Sequence, residues 1–188
     1  MFIDYREKAA SQRYQLMAQS IIPRPIAWVV TESDGVINVA PFSYFIGLSS
    51  EPATMLISVG HKSDGSEKDT LHNLRKSKKC TICMVDKKLL EKMHFSSKEL
   101  SASMSEAEAF EIPLIHPFEK FPPMVEGAPT AFFCELHQEI DLKGSKTIPL
   151  VVEIKNKFVD DTCLVDGGEL EIRYEPVARV GRSFDTSG

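Results

Sequence analysis

A mainly β fold, an antiparallel β-barrel with peripheral helices, is the architecture this sequence predicts. Three observations carry that reading. Apolar, β-branched runs outnumber the helical stretches. The first two runs are joined by a tight-turn signal. The runs do not alternate with helices in the βαβα order that a doubly wound parallel sheet needs.

Pro23-Arg24-Pro25 opens the first run, Ile26 to Val30, because a residue before proline is pushed towards extended geometry. Ser33-Asp34-Gly35 then turns the chain into Val36 to Ala40, so the pair reads as a hairpin. Phe42 to Leu48 is aromatic and extended, Ser49 to Pro52 breaks it, and Thr54 to Val59 is a further strand. After a polar loop from Gly60 to Gly65, a helix is expected from about Lys68 to Lys78. Leu71 and Leu74 lie on its apolar side, and Ser66 with Asp69 matches the spacing of a capping box. Cys80 to Val85 reads as a strand, Lys87 to His94 as helical, and Ser103 to Phe110 as a short helix capped by Ser103 or Ser105. Five prolines between Pro113 and Pro129 make the middle segment irregular. Ala131 to Ile140 and Ile148 to Val159 are strands, the second alternating Val152, Ile154 and Phe158 with Glu153, Lys155 and Lys157.

Composition narrows the functions available. The 188 residues are 43% hydrophobic, enough for a single domain spanning 1–188 with a sizeable core. The formal net charge of -5 leaves no excess of Lys and Arg to neutralise phosphates, which argues against nucleic acid as a partner. Any bound anion has to be held by a local arrangement. No apolar run approaches the roughly 20 residues a bilayer span needs, and acids follow Met1 where a signal peptide would be basic. A cytoplasmic protein that does not span a membrane is expected. Cys80-Thr81-Ile82-Cys83 has the CxxC spacing, but on a strand those thiols point to opposite faces. With no second ligand pair nearby, a dithiol or metal role is set aside in favour of packed core cysteines.

The segment from Gly60 to Thr70 joins a strand to a helix through a glycine-containing loop. The first turn of a helix leaves N–H groups unpaired and carries partial positive charge, which suits a phosphate. Lys68 adds a charge there and Thr70 a hydroxyl. Upstream, Asn38-Val39-Ala40-Pro41-Phe42-Ser43-Tyr44-Phe45 combines small residues, a proline and aromatics. Such a stretch can face a planar ring and let backbone groups approach its polar edge. Taken alone, each segment also fits an ordinary capped helix and a kinked core strand.

Taken together, they resemble a known family. Pro23 to Val29, Asn38 to Phe45, Ser50-Glu51-Pro52, Lys68-Asp69-Thr70 with Asn73, and Glu175-Pro176-Val177-Ala178-Arg179-Val180-Gly181 stand in the order found in the flavin reductase-like and flavoredoxin proteins. That resemblance implies a six-stranded FMN-binding split barrel and a homodimer with FMN near the subunit interface. It also implies redox chemistry carried by the flavin. By position, Arg24, Pro25, Ile26 and Ala27 would flank the cofactor. Asn38, Ala40, Pro41, Phe42, Ser43 and Tyr44 would line its ring and ribityl chain, and Ser58, Lys68, Asp69 and Thr70 would belong to its phosphate end. Asp69 fits a helix-start acceptor better than a phosphate ligand, since two anions in contact repel. Glu51-Pro52-Ala53 and Gly181-Arg182-Ser183-Phe184 depart from the family pattern, the second leaving the tail's contacts open.

The expected function is an FMN-dependent oxidoreductase, either an NAD(P)H:flavin reductase or a flavoredoxin-like carrier with a redox partner protein. NAD(P)H would bind transiently, because no GxGxxG fingerprint is present. The alternatives are a non-enzymatic module on the same barrel holding flavin or heme, and an interaction protein with a vestigial site. The five histidines lack ligand spacing, His61 alone standing near the phosphate loop. Glu106-Ala107-Glu108 and Glu169-Leu170-Glu171 read as solvated charge.

Overall fold

The computed structural model describes residues 1–165 and 170–186, so Glu169 lies outside the described residues. Helix α1 (Ala10–Ser20) precedes a short strand β1 (Arg24–Pro25). Strands β2 (Ala27–Ser33) and β3 (Val36–Phe42) form the expected hairpin. Asp34 and Gly35, at its tip, both have positive φ, 53° and 78°. That is the pairing a two-residue turn between twisted strands demands, and Asp-Gly supplies it at little steric cost.

Strands β4 (Phe45–Ser50) and β5 (Ala53–Val59) follow, then helix α2 (Asp69–Ser77) and strand β6 (Lys79–Cys83). A 3-10 turn leads into helix α3 (Leu90–Phe95), and α4 (Glu106–Ala109) is a single turn. The proline-rich segment holds only β7 (Leu114–Ile115) and β8 (Met124–Val125). Two long strands, β9 (Thr130–Glu139) and β10 (Ile148–Val159), complete the large sheet. A final hairpin, β11 (Val177–Val180) and β12 (Ser183–Thr186), pairs with β1.

The large sheet is antiparallel throughout, in the order β3-β2-β6-β9-β10-β5-β4. It has seven strands where the resemblance implies six. The extended stretch beginning at Phe42 breaks at Ser43-Tyr44, so Phe45–Ser50 turns away from β3 and becomes an edge strand on β5.

Burial explains why the sheet curls. Strand β2 is buried on both faces. Ala27 and Val29 join Phe42, Ile57, Ile82 and Leu150 in one cluster, which Leu71 and Leu74 of α2 close. Trp28 and Val30 lie on the other face, under Met93, Ala107 and the segment from Ile112 to Ala128. A strand covered on both sides loses the polar alternation of a solvent-facing sheet. Cys80 and Cys83 fall into opposite clusters, with Cys134 directly across from Cys80. Burial pushes the Cys83 thiol up to about 12, which leaves it un-nucleophilic at neutral pH.

Helix α1 and the β11–β12 hairpin are findings with no counterpart in the sequence reading. Helix α1 buries only Ala18 and each hairpin strand is four residues long, so neither carries a strong apolar period. Among the described residues no helix is long and apolar enough to cross a membrane.

Candidate functional site

The end of β3 and the start of α2 open onto one cleft. Asn38, Ala40, Pro41 and Phe42 form one side, and Lys68, Asp69 and Thr70 the other. Including its open mouth the cleft measures about 600 Å³, within the range of small-molecule sites.

The α2 start differs from the expected capping box. The N-cap residue is Lys68, whose side chain makes no capping bond. Ser66 is taken up by Asp64, whose Oδ1 accepts from its backbone N–H at 2.8 Å and its hydroxyl at 2.6 Å. As the first helical residues, Asp69 and Thr70 have backbone N–H groups without intrahelical acceptors. They therefore remain available to an anion. Hydrogen bonds brace the preceding loop: the Lys62 N–H bonds the Ser66 carbonyl at 2.8 Å, and His61 Nδ1 meets the Lys146 carbonyl at 2.7 Å.

Four charges surround this corner. Lys62 Nζ lies 2.8 Å from Asp69, and Lys68 Nζ lies 3.6 Å from Glu99. Glu99 also accepts from the Ser63 hydroxyl at 2.7 Å, which holds its carboxyl below the usual range. Glu99 belongs to a wall, Ser96 to Leu100, that the sequence reading missed. Its anchor is Trp28, whose indole Nε1 donates to Ser96 Oγ at 2.9 Å in the core.

Beneath the cleft runs a buried polar network. Asn38 Oδ1 accepts from Thr70 Oγ1 at 2.8 Å and Thr31 Oγ1 at 3.3 Å. Asn73 Nδ2 donates in turn to Thr31 Oγ1 at 3.2 Å. On the other side, Glu106 Oε2 accepts from Asn38 Nδ2 and from the Val39 N–H, both at 3.0 Å. These bonds fix which way the Asn38 amide faces. Glu106 is therefore not solvated charge; it is 4% exposed and lines the cleft, while Glu108 stays exposed. Burial raises its pKa, and the Val39 and Asn38 donors only partly offset that. Ser105, the N-cap of α4, donates to the Ile37 carbonyl at 2.7 Å instead of capping its own helix, and so sets Glu106 in place.

A second cavity continues the first past Pro41, Phe42 and Ser97. Ile26 and Ser43 line it, with Tyr14, His94, Arg179 and Phe184. The remaining residues singled out from the sequence lie outside both linings. Arg24 is buried and donates from Nη1 to the Ile21 carbonyl at 2.7 Å and to the Ala18 carbonyl, capping the end of α1. Pro25 is exposed on β1, Ala27 is core, and Ser58 sits in β5 on the face opposite Ile57 and Val59. Tyr44 packs against Tyr14 with ring centroids 6.1 Å apart, and burial raises its pKa.

The sequence model of the flavin reductase like domain matches residues 17–167. The chain belongs to the flavin reductase-like family. This flavin reductase-like protein is 30% identical to an uncharacterised protein of Aquifex aeolicus over 95% of its own length and 91% of that protein's. Among solved structures it resembles nitrilotriacetate monooxygenase component B of Bacillus cereus, with TM-score 0.92, 26% identity and coverage of 100% and 96% of the two chains. It also resembles the 2-nitrobenzoate 2-nitroreductase of Pseudomonas fluorescens, with TM-score 0.88, 28% identity and coverage of 99% and 91%. The fold is a split barrel, and the function is that of a flavin oxidoreductase.

Proposed function

We propose that the protein binds FMN in the cleft, draws electrons from NAD(P)H or a protein donor, and passes them to an acceptor. One observation carries the reading. The uncapped start of α2, with Lys68 beside it, opens on the same cleft as Asn38 to Phe42. A mononucleotide needs those two ends, a phosphate cradle and a surface for a flat ring, at opposite sides of one groove.

Bound flavin would supply the two-electron chemistry, so no side-chain nucleophile is required. The residues of the chain position and insulate it. The Asp69 and Thr70 amides and the Lys68 ammonium would take the phosphate. Lys62, already engaged by Asp69, offsets the acid nearest that phosphate. The fixed Asn38 amide and the backbone around Ala40 would meet the polar edge of the ring, with Pro41 and Phe42 against its apolar part. Ser96 to Leu100 would exclude water from the far side.

A homodimer fits the surface. Ile46 and Leu48 of edge strand β4 are 60% and 54% exposed. On α1, Tyr14 and Met17 expose apolar side chains one turn apart, and Ile21, just past its end, is exposed as well. A second copy covering these would also wall in the groove beside Tyr14.

Titration of the purified protein with FMN, followed by the visible spectrum, tests the reading, with anaerobic NADH and NADPH additions to separate reductase from carrier. Micromolar FMN binding is expected. No flavin binding at that concentration overturns it, and a monomer by light scattering overturns the dimer.

A further inference from the structure

We propose that the second cavity holds an anionic, flat co-substrate whose acidic group pairs with Arg179; this rests on the flavin reading above. Arg179 is half-buried and makes no ion pair with any acid among the described residues. Its Nε donates to the Gly181 carbonyl at 3.1 Å, and its guanidinium lies over the Phe184 ring at 4.4 Å. Both contacts hold the group flat and leave its two terminal nitrogens without a hydrogen-bond partner among the described residues, able to form a fork. A planar guanidinium with a free fork recognises carboxylate and phosphate bidentately.

The surroundings select for such a ligand. Among the described residues no Asp or Glu lines this cavity, although the chain is acidic overall. The first cavity, by contrast, balances its lysines with Asp69, Glu99 and Glu106. The cation therefore meets no competing acid among the described residues. His94 meets the edge of Phe184 at 5.6 Å between centroids, which backs the ring on which Arg179 lies. Phe42 and Pro41 form the boundary with the flavin cleft. A molecule with a flat apolar body and an acidic end fits this lining, its body towards Phe42 and its charge on Arg179. A third cavity shares Tyr14 and Arg179 with this one; among the described residues it too has no acid in its lining, and Arg182 adds a second cation.

An aromatic carboxylate and the phosphates of a nicotinamide dinucleotide both offer this chemistry, and titration separates them. Calorimetry of the protein with and without FMN would use benzoate, NADH and NADPH as probes, on wild type, Arg179→Gln, Arg179→Lys and Arg182→Gln. At least one probe should bind wild type at millimolar concentration or below. Arg179→Gln should weaken that probe by about tenfold to a hundredfold, the loss of a charged hydrogen-bonded pair, with FMN affinity unchanged. Arg179→Lys, which keeps the charge without the fork, should fall between and guards against misfolding of the Gln variant. Loss of benzoate binding identifies a carboxylate ligand. Loss of NADH or NADPH binding, deepened by Arg182→Gln, identifies a phosphate ligand. Equal affinities in wild type and Arg179→Gln, or no probe binding wild type, overturn the proposal. Arg179-dependent probe binding in a protein that fails to bind FMN would sustain it and overturn the flavin reading instead.

Discussion

Replacing Glu106 with alanine removes the acceptor that two buried donors share. The Val39 N–H and Asn38 Nδ2 both reach Glu106 Oε2 at 3.0 Å, and Val39 is fully buried. Each donor left without a partner costs about 1–3 kcal/mol. Two effects offset part of this: the carboxylate no longer bears its own burial, and water can enter from the cleft. A net loss of about 2–4 kcal/mol follows from these terms. At about 2–4 °C per kcal/mol for a chain of this size, the melting temperature should drop by about 4–16 °C. Glu106→Gln keeps an oxygen for both donors and should lose far less. FMN affinity should fall in the alanine variant as well, because the Asn38 amide is no longer locked. Thermal and urea unfolding of the three proteins measure the difference. An alanine variant within about 1 kcal/mol of wild type, or one indistinguishable from the glutamine variant, would refute the network as drawn.

The same residue sets a pH dependence. Its pKa is raised by burial above the ordinary 4.5, so the folded state holds this proton more tightly than the unfolded chain does. Its contribution is complete below the unfolded value and is lost as pH rises through the raised folded value. The urea-midpoint difference between wild type and Glu106→Gln should decline as pH rises from about 4.5 and then level off; a flat difference counts against the shift. Lys68→Ala should raise the FMN dissociation constant about tenfold to a hundredfold, with little change for riboflavin, which has no phosphate; equal losses for both would remove the phosphate role. Gly35→Ala places a side chain at φ 78° with open space around it, so strain alone should cost about 1 kcal/mol by urea titration. A neutral outcome would mean the hairpin turn relaxes.

The parts of the site written into contiguous residues were readable in advance. Asn38 to Phe42 and Lys68 to Thr70 lie within single strand-to-loop or loop-to-helix segments, where local physics decides the backbone. Glu106 was not readable, because Glu-Ala-Glu looks like surface charge until Ser105 is seen bonded to Ile37. Ser96 joins the cleft only through Trp28, 68 positions away. Arg24, which the family resemblance sets beside the cofactor, also donates to the carbonyls at the end of α1, a contact that no local pattern marks. The helix begins where expected, but Ser66 does not cap it, because Asp64 takes up the serine and leaves Lys68 as the N-cap. In the fold, a period of two located β10, whereas the edge position of β4 depended on a break at Ser43-Tyr44 that no alternation pattern marks.

Trp28 is the chain's sole tryptophan, sealed from solvent and bonded to a residue of the cleft wall. The protein therefore carries a built-in optical probe. Its emission should be that of a dry indole, and an aromatic dye-like guest settling behind Ser96 would quench it by energy transfer. Occupancy could then be followed in dilute solution without labelling, and any variant that loosens the Ser96 wall would announce itself as a red shift before a guest is added.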